Sequence, residues 1–291
     1  MPAYLLGHMG TNRPEAGRLV VATHNLMHGL HIDALIPHYL ALRESEGLDL
    51  LCLQEDRYLA GTGASSEERP STRILAALGR PYDLVRQDGC PGLCILFDSR
   101  TLSCRARAAL PLPRLGSLSW FEKLYIIGGK TKQKHVLVAE MQASGGGAPF
   151  TAVCFHLDTA GGNAHRGTQV RAIAESLEAR GAERRLIACG DTNAFAWRRQ
   201  PEALRTLLTP LTKLGATDRE ARDTQDTLPT HFFARQNEPK LLHRTGVLLG
   251  KLGLDLPGRY DVVCSNLPVL RHGQVETLGS DHDLVWAALL P

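Results

Sequence analysis

Residues 186–193 have the sequence Leu-Ile-Ala-Cys-Gly-Asp-Thr-Asn, in which a short apolar run gives way to the polar side chains of Asp191 and Asn193. A continuous apolar run of this length is typical of a β-strand that is covered on both faces. A rigid sheet holds the loops that follow such strands, and these loops often carry functional residues. The stretch therefore predicts a buried strand of a layered protein with chemically active residues at its downstream end.

The same arrangement occurs at three other places in the chain. Asn25 follows Val-Val-Ala-Thr-His, Glu55 follows Leu-Leu-Cys-Leu-Gln, and His156 follows Ala-Val-Cys-Phe. Near the C-terminus, Asp261 follows a tyrosine, and the pair Asp281-His282 precedes the last apolar run. Because one sheet edge would bring such strand ends together, we expect these side chains to form one site.

Apolar runs suited to strands recur along the chain, with helical patterns between them. The expected strands are Leu19 to His24, Leu48 to Gln54, Leu93 to Phe97, Val136 to Met141, Phe150 to Phe155, Leu186 to Cys189, Tyr260 to Cys264 and Leu284 to Ala288. The expected helices are Arg73 to Leu78, Arg166 to Ala179 and Glu202 to Leu208. This alternation favours sheets covered by helices on the outside.

Composition indicates an ordinary folded protein, with 43% hydrophobic and 22% charged residues. Lysine and arginine exceed aspartate and glutamate by only 33 to 30, so the overall charge does not identify a polyanionic partner. We expect an N-terminal extension over residues 1–17 and a single catalytic domain over residues 18–291. No run is apolar over the roughly 20 residues that a membrane-spanning helix needs, and residues 1–17 do not resemble a secretory signal.

Four of the seven cysteines, Cys52, Cys154, Cys189 and Cys264, lie inside apolar runs, where a thiol usually acts as a small buried hydrophobe. An odd number of cysteines disfavours a full disulfide framework, and Cys90 and Cys94 lack the second pair that a zinc site needs. We therefore expect a soluble protein of the reducing cytoplasm.

The candidate ligands are mainly oxygen groups, which suit a hard cation such as Mg²⁺ or Mn²⁺. Such an ion neutralises charge on the phosphate oxygens during phosphoryl transfer, while amide and imidazole groups hold the reacting centre and a carboxylate aligns or deprotonates water. A hard-cation site of this kind is what phosphoryl chemistry needs.

Six motifs, in order along nearly the whole chain, resemble those of the endonuclease/exonuclease/phosphatase superfamily. They are Ala-Thr-His-Asn25, Leu-Gln54-Glu55, Phe-His156-Leu-Asp158, Gly190-Asp191-Thr192-Asn193, Tyr260-Asp261 and Ser280-Asp281-His282. The resemblance implies an α/β fold: a four-layer α/β sandwich of two packed mixed β-sheets with outer helices. It also implies a metal site at one rim.

The resemblance also implies a role for each residue. Glu55, Asn25 and Asp281 would hold Mg²⁺ or Mn²⁺ or its water. Asp191 would position or deprotonate the attacking water, Asn193 would donate to the phosphate, and His282 would contact the phosphate while Asp261 orients its ring. His156 would be a phosphate contact or a general acid, and Lys134 and His135 are candidates for the basic side chain that approaches the phosphate from a middle strand.

Several of these residues also have purely structural explanations. Asn25 alone would suit a strand-end cap, Asp191 with Asn193 an Asx turn, and His156 a buried core histidine. We assign structural or surface roles to Asp158, His24, His28, His165 and His231.

Two regions interrupt the alternation of strands and helices, residues 111–134 and residues 234–259. The first carries Trp120 and Tyr125 among several lysines, which suits either stacked bases and phosphates or a membrane surface. Peripheral membrane contact would involve residues 114–134 or 240–252. The favoured function is a metal-dependent phosphodiesterase acting on nucleic acid. The alternatives are a lipid or inositol phosphate hydrolase at a membrane surface and a noncatalytic phosphate-binding module.

Overall fold

Two six-stranded sheets pack face to face in the computed structural model, which describes residues 17–58, 68–120, 122, 131, 133–194, 200–218, 260–277 and 279–291. The strands are β1 (Leu19–Asn25), β2 (Leu48–Asp56), β3 (Tyr82–Val85), β4 (Gly92–Asp98), β5 (Leu102–Pro111), β6 (His135–Ala143), β7 (Phe150–His156), β8 (Leu186–Asp191), β9 (Thr217–Asp218), β10 (Asp261–Ser265), β11 (Val269–Val275) and β12 (Leu284–Leu289).

Each sheet is mixed and contains one parallel pair near its centre. The first sheet has the order β11-β12-β1-β2-β4-β3, and the second has the order β5-β6-β7-β8-β10-β9. β1 pairs in parallel with β2, and β7 pairs in parallel with β8, whereas the other pairings are antiparallel. These four central strands are buried on both faces, as their continuous apolar sequences predict.

Helices cover the outer faces of both sheets. In the described part of the chain they are α1 (Ile32–Glu46), α2 (Pro70–Leu78), α3 (Gly162–Glu178) and α4 (Gln200–Lys213), besides a 3₁₀ turn at Met27–Gly29. One apolar core fills the space between the sheets, a second lies between the first sheet and α1 with α2, and a third lies between the second sheet and α3 with α4. The expected four-layer α/β sandwich is confirmed.

The eight strands expected from the sequence are all present, although most extend one or two residues further. The three expected helices are also present. Four strands (β3, β5, β9 and β11) and the helix α1 were not expected. The assignment of residues 1–17 as an extension stays a prediction, because residues 1–16 lie outside the described part of the chain.

The expected insertion at residues 234–259 and the candidate membrane segment at residues 240–252 lie outside the described residues, as do Tyr125 and His231. Of the helices in the described ranges, none is both long enough and apolar enough to cross a bilayer. The four cysteines expected in the core are wholly buried, and all seven are free thiols.

Candidate active site

The candidate site lies at the rim of the sandwich where the central strands of both sheets end. His156, the last residue of β7, is the register partner of Asp191, the last residue of β8. On its other side, Asp191 is paired with Asp261, the first residue of the antiparallel strand β10. The side-chain amide of Asn25, at the end of β1, donates a hydrogen bond to Asp191 Oδ2 at 3.0 Å and so joins the two sheets.

Gly190 allows β7 and β8 to approach closely just before these catalytic candidates. A Cβ atom at position 190 would lie 2.1 Å from the backbone carbonyl oxygen of Phe155 on the neighbouring strand. No side chain fits at that distance, so any other residue would push the strands apart. The glycine of the Gly-Asp-Thr-Asn motif therefore sets the spacing between His156 and Asp191.

Asp191 is at the centre of the site and is only 1% exposed. Its Oδ1 accepts the backbone N–H of Asn193 at 2.8 Å, which fixes the orientation of the carboxylate. Its Oδ2 lies 3.6 Å from His156 Nε2 and 3.8 Å from His282 Nε2, in addition to the hydrogen bond from Asn25. One carboxylate oxygen thus meets an amide and two imidazoles, a geometry suited to aligning water or accepting its proton.

His282 is held by carboxylates on several sides. Its Nδ1 lies 2.6 Å from Oδ2 of the wholly buried Asp261, and its Nε2 lies 4.0 Å from Asp281 Oδ1. Burial alone would lower the pKa of His282, but the negative charges of Asp261, Asp281 and Asp191 outweigh it and raise this pKa well above its usual value. The raised pKa favours the imidazolium form of His282, whose Nδ1–H donates to Asp261.

His156 has the opposite electrostatic state. Burial lowers its pKa well below the usual value, and the positive charges of Lys134 and His282 lower it further. The imidazole is therefore neutral at neutral pH. The sequence left His156 as either a phosphate contact or a general acid, and a neutral ring favours the phosphate contact.

Glu55 lies at the open side of the site, in a left-handed backbone conformation with φ of 57°. Its Oε2 is 3.3 Å from His28 Nε2, and both side chains are about one-fifth exposed, at 20% and 22%. Burial and the charge of Asp281 raise the pKa of Glu55 to about 7, whereas the charge of Lys134 lowers it. Glu55 and Asp281 are thus close enough to repel each other.

Comparison with known proteins places this geometry in a known fold. The sequence matches no protein-family profile and no curated protein. Solved structures do match over nearly the whole chain: an endonuclease/exonuclease/phosphatase from Bacteroides vulgatus aligns with a TM-score of 0.63 at 17% identity, over 94% of this chain and 98% of that one. This chain has the endonuclease/exonuclease/phosphatase fold.

Two other structures with the endonuclease/exonuclease/phosphatase fold differ in what they act on. D. rerio TDP2, complexed with a single-stranded DNA product, has a TM-score of 0.61 at 13% identity and covers 93% of this chain and 98% of its own. A mannosyl-6-phosphatase of Bacteroides thetaiotaomicron has a TM-score of 0.58 at 14% identity, over 92% of this chain and 98% of its own. The resemblance to this superfamily, first drawn from six short motifs, is confirmed at the level of the fold.

The residues around Glu55 have the chemistry of a site for a hard divalent cation. Glu55 and Asp281 supply carboxylate oxygens whose mutual repulsion a cation would cancel. A tighter set of potential ligands consists of Asp191, Asp261 and His282, with atoms within 4.8 Å of one another. We interpret that set as a hydrogen-bonded triad, because Nδ1 of His282 already donates to Asp261. The assignment of Asn25, Glu55 and Asp281 to the metal stays a prediction.

The backbone of Asn193 also has a left-handed conformation, with φ of 47°. Its side-chain Nδ2 donates to the carbonyl oxygen of Leu157 at 3.0 Å, just beyond His156. Asn193 therefore ties the loop after β8 to the loop after β7. Its expected role as a phosphate donor stays a prediction.

Lys134, one of the two candidates for the basic side chain, lies directly before β6 and is partly buried near the site. Burial lowers its pKa, and the charges of Glu55, Asp158 and Asp191 oppose that shift. Lys134 therefore lies beside the carboxylates of the site, and its expected contact with the phosphate stays a prediction.

Two histidines that the sequence left as structural or surface residues have different surroundings. His28 contacts Glu55 in the site, although nothing in its sequence neighbourhood indicated this. His165 pairs with Asp158 at 2.9 Å, and Asp158 also accepts from Gln169 at 2.8 Å. That second cluster braces the start of α3 and fits the structural roles expected for His165 and Asp158.

Proposed function

We propose that this protein is a divalent-cation-dependent hydrolase of phosphate esters. The observation that carries the proposal is the environment of Asp191 Oδ2. This oxygen accepts a hydrogen bond from the side-chain amide of Asn25 and lies beside both His156 and His282. A structural aspartate needs hydrogen-bond donors, but it does not need two histidines in opposite protonation states.

In this mechanism Asp191 aligns the attacking water and accepts its proton. His282, charged because of its neighbouring carboxylates, donates from Nε2 to a nonbridging oxygen of the phosphate, while Asp261 fixes its ring. Neutral His156 contacts another phosphate oxygen. Glu55, Asp281 and Asn25 would hold Mg²⁺ or Mn²⁺, which supplies charge neutralisation at the phosphate and the leaving group.

For the substrate class, we propose a nucleic-acid phosphodiester. Lys134 places a positive charge beside the site. Trp120 is 75% exposed and lies in the region of residues 111–134, whose sequence suits contact with either bases or a membrane surface. D. rerio TDP2, which shares the fold, was crystallised with a DNA product. We also propose the cytoplasm as its compartment.

The runner-up is a lipid or inositol phosphate hydrolase that works at a membrane surface, since an exposed tryptophan suits that setting equally well. A noncatalytic phosphate-binding module is the other alternative. Such a module has no need of a buried carboxylate directed at a water position, so Asp191 favours the enzyme.

The experiment is a hydrolysis panel of DNA, RNA, sphingomyelin, phosphoinositides and a bis-aryl phosphodiester, with Mg²⁺, with Mn²⁺ and with EDTA. We expect turnover of a nucleic acid above all other substrates, with a cation and not with EDTA. If a lipid is turned over fastest, the substrate class is a lipid phosphate and not a nucleic acid. Binding of phosphate compounds without any turnover would establish the module instead.

A second test concerns the exposed aromatic side chain. Trp120→Ala should raise KM on the best substrate with little change in Tm, because an exposed ring stacked on a base contributes to binding but little to folding. Replacing Trp286, which is half-buried against α1 and the first sheet, serves as the contrast and should lower Tm. A large fall in Tm for Trp120→Ala with unchanged KM would show that Trp120 has a structural role and does not contact the substrate.

A further inference from the structure

His24 precedes Asn25 on β1 and has no place in the mechanism above. It is wholly buried, and its ring lies edge-on to that of Tyr39 on α1, with ring centroids 5.7 Å apart. Each of the two ring nitrogens of a buried histidine must find a hydrogen-bond partner, because an unsatisfied polar atom is costly to bury.

Both nitrogens of His24 have partners that fix its tautomer. Nε2 lies 3.1 Å from the backbone carbonyl oxygen of His282. Because a carbonyl oxygen can only accept, Nε2 carries the proton and donates it. Nδ1 is then an acceptor, and the hydroxyl of Tyr39 donates to it at 2.6 Å. Tyr39 thus holds His24 in the tautomer that can bind the backbone of His282.

The same carbonyl has a second donor. The hydroxyl of Thr277 donates to the carbonyl oxygen of His282 at 2.7 Å. On the other side of the residue, the backbone N–H of His282 donates to Ser280 Oγ at 3.1 Å, and the Ser280 hydroxyl donates to the carbonyl oxygen of Asn25 at 2.7 Å. The backbone of His282 is therefore held at both its carbonyl and its amide.

The hydrogen bonds to the backbone of His282 differ in their effect from the contact that Asp261 makes with its ring. Asp261 contacts the ring of His282 and sets its rotation and charge, whereas His24 and Thr277 set where the backbone that carries the ring lies. The ring nitrogen is 3.8 Å from Asp191 Oδ2, and catalytic geometry tolerates little displacement from such a position.

We propose that His24 is a positioning residue for His282, acting through the backbone carbonyl and kept in the donating tautomer by Tyr39. The catalytic consequence rests on the proposed function, in which His282 contacts the phosphate. The positioning itself is a property of the loop at residues 279–283 and can be measured without any substrate.

The test compares His24→Met, which keeps the bulk but removes the donor, with His24→Gln, whose side-chain amide can donate to the same carbonyl. A matched control is Tyr82→Phe. The Tyr82 hydroxyl is also buried and also donates to a backbone carbonyl, that of Leu48, at the opposite end of β2 from Glu55. Amide hydrogen exchange, kcat and KM are measured for each protein.

We expect His24→Met to speed exchange of the His282 amide while the amides of the sheet core keep their parent rates. kcat should fall about tenfold, in the range usual for loss of a group that orients a ligand or catalyst, with KM nearly unchanged. His24→Gln should recover most of both effects. Tyr82→Phe should leave kcat and the His282 amide as in the parent, whatever stability it loses.

Parent-like exchange at the His282 amide in His24→Met would overturn the proposal, whatever kcat does. Equal losses in His24→Met and His24→Gln would also overturn it, because the donor would then be irrelevant. If His24→Met does not fold, Tyr39→Phe applies the same exchange test with every ring retained. If the parent protein hydrolyses nothing in the panel, the proposed function fails, and the exchange result still decides whether His24 positions His282.

Discussion

Replacement of Asp191 by asparagine separates the chemical role of this side chain from its structural one. The carboxylate accepts from Asn193 N on one oxygen and from Asn25 Nδ2 on the other. An amide has only one oxygen, so in either orientation its NH₂ group faces one of these two donors. One buried hydrogen bond is lost, and we expect the free energy of unfolding to fall by about 1–3 kcal/mol with the fold retained.

The effect of Asp191→Asn on catalysis should be larger than its effect on stability. An amide cannot accept a proton from water, and a general base contributes about 10²- to 10⁴-fold to the rate, or about 3–5 kcal/mol of barrier. We expect kcat to fall by at least about 100-fold. The assay is steady-state hydrolysis of the best substrate of the panel in Mg²⁺, at protein concentrations where circular dichroism shows the variant folded.

Asp158→Asn is the matched control. The Oδ2 atom of Asp158 accepts from both His165 and Gln169, so an asparagine with its oxygen at that position keeps both hydrogen bonds and removes only a carboxylate charge, at a residue other than the proposed base. It should keep the fold, and its kcat should stay within a few-fold of the parent. Parent-like turnover by Asp191→Asn, or an equal loss of kcat in Asp158→Asn, would refute the assignment of Asp191 as the base.

Three further outcomes are expected. Gly190→Ala should lower the free energy of unfolding by about 3 kcal/mol and reduce kcat, because its Cβ would overlap the neighbouring strand. Gly167→Ala lies inside α3 with nothing within 4 Å of its Cβ, so in urea denaturation it should be at least as stable as the parent, since alanine favours a helix over glycine. In metal-free buffer the parent should be more stable than Asp261→Asn, most clearly below pH 6.5, because Asp261 stabilises the charged ring of His282 in the folded state. This difference in the free energy of unfolding should shrink as the pH rises through the raised pKa of His282. A difference that stays constant with pH would contradict the ion pair. The affinity for Mg²⁺ should increase as the pH rises through about 7, where Glu55 loses its proton, and Glu55→Gln should abolish both the binding and its pH dependence in calorimetry.

The strands that could be predicted from the sequence are those whose residues are buried on both faces. β1 and β8 are buried along their whole length and begin with continuous apolar runs, residues 19–22 and 186–189, which stand out in the sequence. β5 and β11 lie at sheet edges, where most of their side chains are exposed or only partly buried, and arginines such as Arg105 and Arg271 break the apolar pattern. An edge strand is defined by its hydrogen bonds to a partner, which the sequence of the strand does not encode.

The helix α1 was not expected for a different reason. It contains Pro37, which removes a backbone donor and ordinarily argues against a helix interior. The burial of Leu35, Tyr39 and Leu42 against the first sheet outweighs this local cost. Packing of this kind depends on a surface that is assembled from distant parts of the chain.

The candidate site shows the same division between local and distant information. Asp191 and His156 follow buried strands, and that local signal identified them. His28 contacts Glu55, and both residues adopt left-handed backbone conformations, with φ of 56° and 57°. Such conformations are uncommon for residues other than glycine, and no pattern of residue types indicated them here. His24 likewise depends on the carbonyl of His282, which lies 258 residues away along the chain.

The opposite pKa shifts of the two histidines support the different roles that we propose for them, which their positions alone do not distinguish. His156 and His282 lie at nearly equal distances from Asp191 Oδ2, 3.6 and 3.8 Å. Burial acts on both rings and lowers both pKa values, but Asp261 and Asp281 reverse the effect at His282 alone. When neighbouring groups are driven to opposite protonation states, the charged one is suited to stabilise negative charge on the phosphate, and the neutral one cannot supply a proton as an acid. The buried carboxylate of Asp261 is therefore what distinguishes two otherwise similar histidines.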